Sequence, residues 1–139
     1  MPSLRTATVR TNRQGLAGKQ IVIVEDSFLL ALDVTRFMES LGCVMRGPFS
    51  SIRDALACLR EQDIDGAILD FDLQEISTAV AVELVEQGIP FVVVSSHDHD
   101  FLPAHLRQED YIGKPISRSS LAEIASSRFG WDAGQSHAI

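Results

Sequence analysis

Short apolar runs alternate along the chain with stretches of helical periodicity, and this alternation constrains the fold more than any other feature. Residues 20–25 (QIVIVE), 43–46 (CVMR), 67–71 (AILDF), 91–95 (FVVVS) and 111–113 (YIG) are rich in β-branched and aliphatic side chains. Runs of this length, bounded by turn residues, read as strands covered on both faces. Between them, Leu30, Val34, Phe37, Met38 and Leu41 share one face of a helix, as do Ile52, Ala55, Leu56 and Leu59. The same spacing recurs in Ile76, Val80, Leu84 and Val85, and in Leu121, Ile124, Ala125 and Phe129. Asp26 or Ser27, Ser50 or Ser51, and Ser117 or Ser119 can accept the first helical N–H groups. Gly42 stands where a C′ glycine would, Gly47-Pro48 ends the second strand, and Gly88 with Pro90 stops the third helix. Residues 97–108 are polar and interrupted by Pro103, so a helix between the last two strands is short or irregular. Strands and helices alternating in this way imply parallel strands joined by right-handed crossovers. The expected fold is a five-stranded, doubly wound parallel α/β sheet with helices on both faces.

A chain of 139 residues with 45% apolar and 22% charged side chains suits one soluble domain with a core of its own. The domain is expected over residues 19–129, with flexible tails at 1–18 and 130–139. Arg5, Arg10 and Arg13 precede every acidic residue, so residues 14–139 carry 9 basic against 19 acidic side chains. Such a body disfavours nucleic acid, whose phosphates need clustered Lys and Arg, and suits a cation instead. No apolar run approaches the ~20 residues of a membrane span, and the N-terminus lacks the apolar core of a secretory signal. The cytoplasm is the expected compartment. Cys43 and Cys58 stand in no metal or redox spacing and read as small core hydrophobes.

The stretch GAILDFDL, residues 66–73, runs an apolar strand straight into Asp70. Carboxylates are almost never fully buried without a partner. Doubly wound sheets bind ligands at the carboxyl ends of their strands, near the switch in strand order. Strand one ends in Glu25-Asp26, strand three in Asp70, strand four in Ser95-Ser96, and strand five near Lys114. In a parallel sheet all these ends lie on one edge, so three carboxylates, a hydroxyl and an ammonium converge. Clustered carboxylates must hold a proton or share a cation, and hard oxygen ligands suit Mg²⁺. Lysine adds a point charge suited to phosphate. The set makes sense for a carboxylate that accepts a phosphoryl group.

Glu25-Asp26 after IVIV, Asp70 after AIL, Ser95 after PFVVV and Lys114-Pro115 after YIG carry a resemblance. Over residues 19–129 the chain resembles the receiver domain of two-component response regulators, a flavodoxin-like fold. The resemblance implies that Asp70 is the phosphoacceptor. It implies that Asp26 and Asp70 ligate Mg²⁺ with the backbone carbonyl of Asp72, and that Glu25 acts mainly through a metal-bound water. Ser95 would hydrogen-bond the phosphoryl group, Lys114 would pair with it, and Tyr111 takes the place of the switch aromatic. The implied partners are a sensor histidine kinase or histidine phosphotransfer protein, a downstream protein target and, as an option, a second copy in a homodimer. A stand-alone regulator that is not itself an enzyme is expected, signalling through protein contacts in a two-component pathway or phosphorelay.

Departures from the family pattern fall around the same cleft. Ser96 replaces the usual Ala or Gly, and the loop DLQEIS lacks the common proline. PFVVVSSHD resembles an alphaproteobacterial single-domain type ending P-F-x-F-x-T-G-Y, with Ser95, Ser96 and His97 in place of Thr, Gly and Tyr. Three rivals stand beside the main reading. A pseudo-receiver would bind partners without phosphorylation. Asp70-Phe71-Asp72 resembles the D-x-D of Asp-nucleophile phosphatases, but lies on strand three and continues Leu-Gln. His97 and His99 resemble part of an H-x-H-x-D-H zinc motif, but Phe101 stands where its Asp belongs.

Overall fold

The computed structural model describes residues 15–97 and 110–130. Five strands form one parallel sheet: β1 (Gln20–Val24), β2 (Val44–Phe49), β3 (Gly66–Asp70), β4 (Phe91–Ser95) and β5 (Asp110–Gly113). Their spatial order is β2-β1-β3-β4-β5. The described helices are α1 (Phe28–Ser40), α2 (Ile52–Glu61), α3 (Gln74–Gln87) and α4 (Arg118–Phe129). Alternate residues of the buried strands face opposite layers. Ile21, Ile23, Ile68, Val92 and Val94 pack with Ala31, Val34 and Met38 of α1 and with Leu121, Ala125 and Phe129 of α4. Val22, Val24, Ala67, Leu69 and Val93 pack with Ala55 and Leu59 of α2 and with Val80, Ala81 and Leu84 of α3. This is the doubly wound α/β fold expected from the alternation. The short helix expected within 97–108 falls mostly on residues outside those described.

Each described helix begins where a serine accepts an early N–H, with one exception. Ser27 caps α1, Ser51 caps α2 and Ser117 caps α4 through their hydroxyls. Helix α3 follows Leu73, whose side chain offers no cap, and is closed by left-handed Gly88. Gly66 has a packing reason: a Cβ there would lie 2.4 Å from the Phe129 ring.

Three expectations need correction. β2 does not stop at Gly47-Pro48 but runs through it to Phe49, with the register to β1 shifting between Val22 and Val24. β2 is an edge strand, so the N–H that proline lacks costs the sheet no inner hydrogen bond. The polar segment 1–18 is not tail to its end, because Leu16 is fully buried in the α1/α4 layer. The Gly18 N–H donates to the Gly42 carbonyl at 2.8 Å and anchors that turn beside the end of α1. Val85 faces out, 63% exposed, and Ala81 takes the inner position instead. Residues 1–14 and 131–139 lie outside those described. Among the described residues, no helix is long and apolar enough to cross a membrane.

Candidate functional site

The strand order reverses at β1, whose neighbours are β2 and β3, so the carboxyl ends of β1 and β3 lie side by side. Glu25 and Asp26 leave the end of β1, and Asp70 is the last residue of β3. Asp70 is 3% exposed and Glu25 5%, while Asp26 is open to solvent. One carboxylate oxygen from each lies within 4.8 Å of the other two. At that separation each ionised pair repels by about 3 kcal/mol for an effective dielectric near 20. The cost falls on Glu25: burial first, then the facing Asp70 carboxylate, push its pKa up to about 7, against the Ser27 N–H that favours its charge. Local backbone bonds hold the group in place. The Glu25 N–H donates to the Phe49 carbonyl at 2.9 Å, and the Ser27 N–H donates to Glu25 Oε2 at 3.0 Å. The Asp72 N–H donates to Asp70 Oδ1 at 2.9 Å. Ser77, fully buried on α3, donates its hydroxyl to the Asp70 carbonyl at 2.6 Å.

A cation and several donors face these carboxylates. The end of β5 delivers Lys114, whose N–H donates to the Ser95 carbonyl at 3.0 Å. Its Nζ lies 2.9 Å from Asp70 Oδ2 and 3.1 Å from Asp72 Oδ2. Burial works against the Lys114 charge, but hydrogen bonds to Asp70 and Asp72 prevail and raise its pKa. Ser95 is 1% exposed at the end of β4. Its hydroxyl donates to Asp72 Oδ1 at 3.0 Å and accepts the His97 N–H at 3.0 Å. Ser96 adds its hydroxyl to Asp72 Oδ2 at 2.8 Å and its N–H to both Asp72 oxygens at 3.2 Å. His97 Nδ1 stands 3.2 Å from Asp72 Oδ1. Burial opposes the Asp72 charge, yet the hydrogen bonds from Ser96, Lys114 and Ser95 outweigh it and hold that carboxyl well below the usual range.

The structure thus gathers Glu25, Asp26, Asp70, Ser95 and Lys114 at one edge, as the strand-end reading expects. Asp72 brings its side chain into the site, where the resemblance implies a role for its backbone carbonyl alone. Tyr111 is half-buried against the α2/α3 layer, and its hydroxyl donates to the His97 carbonyl. Ser77, and the partnership of Ser96 and His97 with Asp72, escaped sequence reasoning. The one signal for them was Ser96, which departs from the small residue expected there. His97 is engaged with Asp72, and His99 lies outside the described residues.

A doubly wound sheet with this strand order, carrying paired acids, a buried serine and a lysine at its carboxyl edge, defines the receiver class of signalling domain. The family model for the response regulator receiver domain matches residues 21–126, and the chain belongs to that family. The BeF3-activated conformation of SdrG from Pseudomonas melonis Fr1 is similar at 34% identity and TM-score 0.68, over 79% of this chain and 96% of that one. SdrG from Sphingomonas melonis Fr1 matches at 32% identity and TM-score 0.69, over 79% and 95%. The response regulator PhyR from Brucella abortus shares the fold at 21% identity and TM-score 0.75, over 99% of this chain and 58% of that one. A search of curated proteins finds no match.

Proposed function

We propose that Asp70 accepts a phosphoryl group from a phosphohistidine donor and that the phosphorylated domain signals through protein contacts. The observation that carries this reading is the environment of Asp70. One oxygen is held by the Asp72 N–H at 2.9 Å and the other by Lys114 Nζ at 2.9 Å, in a cleft that buries the carboxylate. A carboxylate oxygen of Asp70 forms a bond to phosphorus as the donor's N–P bond breaks, and the histidine nitrogen keeps the electron pair. Lys114 balances charge on the transferred oxygens, and the Ser95 hydroxyl is the neutral donor beside them. Glu25, Asp26, Asp70 and the Asp72 carbonyl are hard oxygen donors that fit Mg²⁺. When bound, Mg²⁺ would neutralise charge on the phosphoryl oxygens and relieve repulsion among the three carboxylates.

The partners on this reading are a histidine kinase or phosphotransfer protein upstream and a protein target downstream, in the cytoplasm. The chain is a signalling component and not an enzyme. Wild type and Asp70→Asn, incubated with Mg²⁺ and acetyl phosphate and weighed by mass spectrometry, test the assignment. The wild type gains one phosphoryl group and the variant none. Equal uptake by the variant refutes Asp70 as acceptor, and no uptake by either chain favours the pseudo-receiver reading.

A further inference from the structure

The donors that the proposed function assigns to a phosphoryl group are already engaged. Lys114 Nζ and the Ser95 hydroxyl lie 3.1 and 3.0 Å from the Asp72 carboxylate, and the Ser96 N–H and hydroxyl and His97 Nδ1 hold that carboxylate in place at 2.8–3.2 Å. A lysine ammonium and a hydroxyl aimed at one point form a site for an oxyanion. Here the oxyanion belongs to the chain itself. We propose that the Asp72 carboxylate is a built-in ligand of the phosphoryl-oxygen pocket, which an incoming phosphoryl group must displace. The proposal rests on the phosphoacceptor reading of Asp70.

Two residues left over by that reading find a use here. Ser96 and His97 depart from the family pattern, and in the structure each supplies a contact to Asp72. The contacts come from the end of β4, across the cleft from the loop that carries Asp72, so they fix the side chain from several sides. The engagement also reaches the face of the domain. Asp72 accepts the Ser95 hydroxyl, Ser95 Oγ accepts the His97 N–H, and the His97 carbonyl accepts the Tyr111 hydroxyl. Asp72 therefore holds Ser95 and Tyr111 together without any phosphoryl group. On phosphorylation the pocket exchanges one anion for another, so Asp72 sets the affinity for the second and the resting position of Tyr111.

Beryllofluoride with Mg²⁺ serves as the phosphoryl probe, titrated into wild type, Asp72→Ala and Ser96→Ala by calorimetry or ¹⁹F NMR. Both substitutions keep the Asp72 backbone carbonyl, and thermal melting confirms that each variant is folded. Displacement predicts at least about tenfold tighter binding to Asp72→Ala, since two or more charge-assisted hydrogen bonds no longer compete. Removing an acid could tighten anion binding by charge alone, and Ser96→Ala separates the two causes. It leaves every charge in place but loosens the Asp72 carboxylate, so it binds severalfold more tightly if Asp72 is docked. In the metal-free protein, amide exchange of Ser96 and His97 should accelerate in Asp72→Ala. Unchanged exchange there, or unchanged or weaker beryllofluoride binding to Ser96→Ala, overturns the proposal. If neither wild type nor any variant binds beryllofluoride, the phosphoacceptor reading falls and takes the displacement with it. Equal binding by all three overturns the displacement alone.

Discussion

Glu25 gives the metal-free domain a pH dependence whose sign can be worked out. Its carboxyl is 5% exposed and faces Asp70, and its pKa is raised from 4.5 to about 7. Between those values the folded state holds a proton that the unfolded chain has released. Stability is therefore fully present below the unfolded value and falls as pH rises through the folded one. A gap of that size sets an upper limit of about 3 kcal/mol, reduced to the extent that Asp70 shares the proton. That is a large share of the ~5–15 kcal/mol expected for a domain of this kind. Other carboxylates titrate over the same range, so the quantity to measure is the difference between wild type and Glu25→Gln. Urea unfolding followed by circular dichroism, in EDTA, should show that difference moving against the wild type by about 1–3 kcal/mol from pH 4.5 to 8. A difference that stays flat, or moves in favour of the wild type as pH rises, would refute the reasoning. It would mean that Glu25 is not held protonated against Asp70.

Mg²⁺ should raise the melting temperature of the wild type by mass action, and Asp26→Ala should lose most of that rise. An equal rise in the variant places the metal elsewhere. Gly66→Ala should cost about 1–3 kcal/mol or more, because its Cβ would meet the Phe129 ring at 2.4 Å. Adding Phe129→Leu to that variant should recover part of the loss in chemical denaturation.

Much of this domain was legible in the sequence because the signals are local. A strand needs a short apolar run, so β4 appears over residues 91–95 in both the sequence reading and the structure. A helix start needs one hydroxyl at the right offset, and Ser27, Ser51 and Ser117 were each among the expected caps. The cleft followed from strand alternation, since parallel strands bring Glu25, Asp70, Ser95 and Lys114 to one edge whatever their separation along the chain. Other features depended on neighbours that no local pattern reveals. Pro48 is tolerated within β2 because that strand lies at the sheet edge. Leu16 is a single apolar residue in a polar stretch, and only the turn at Gly18 bonded to Gly42 places it in the core. Asp72 looked like the source of a backbone carbonyl, two residues beyond the acceptor. Its carboxylate became a ligand for Lys114, Ser95 and Ser96 only when β4 and β5 closed beside β3. The sequence by itself determined which residues reach the carboxyl edge, because periodicity and strand polarity act over a few residues. The tertiary structure decided which of them are partners, because a hydrogen bond within 3 Å or so requires side chains more than twenty residues apart to meet.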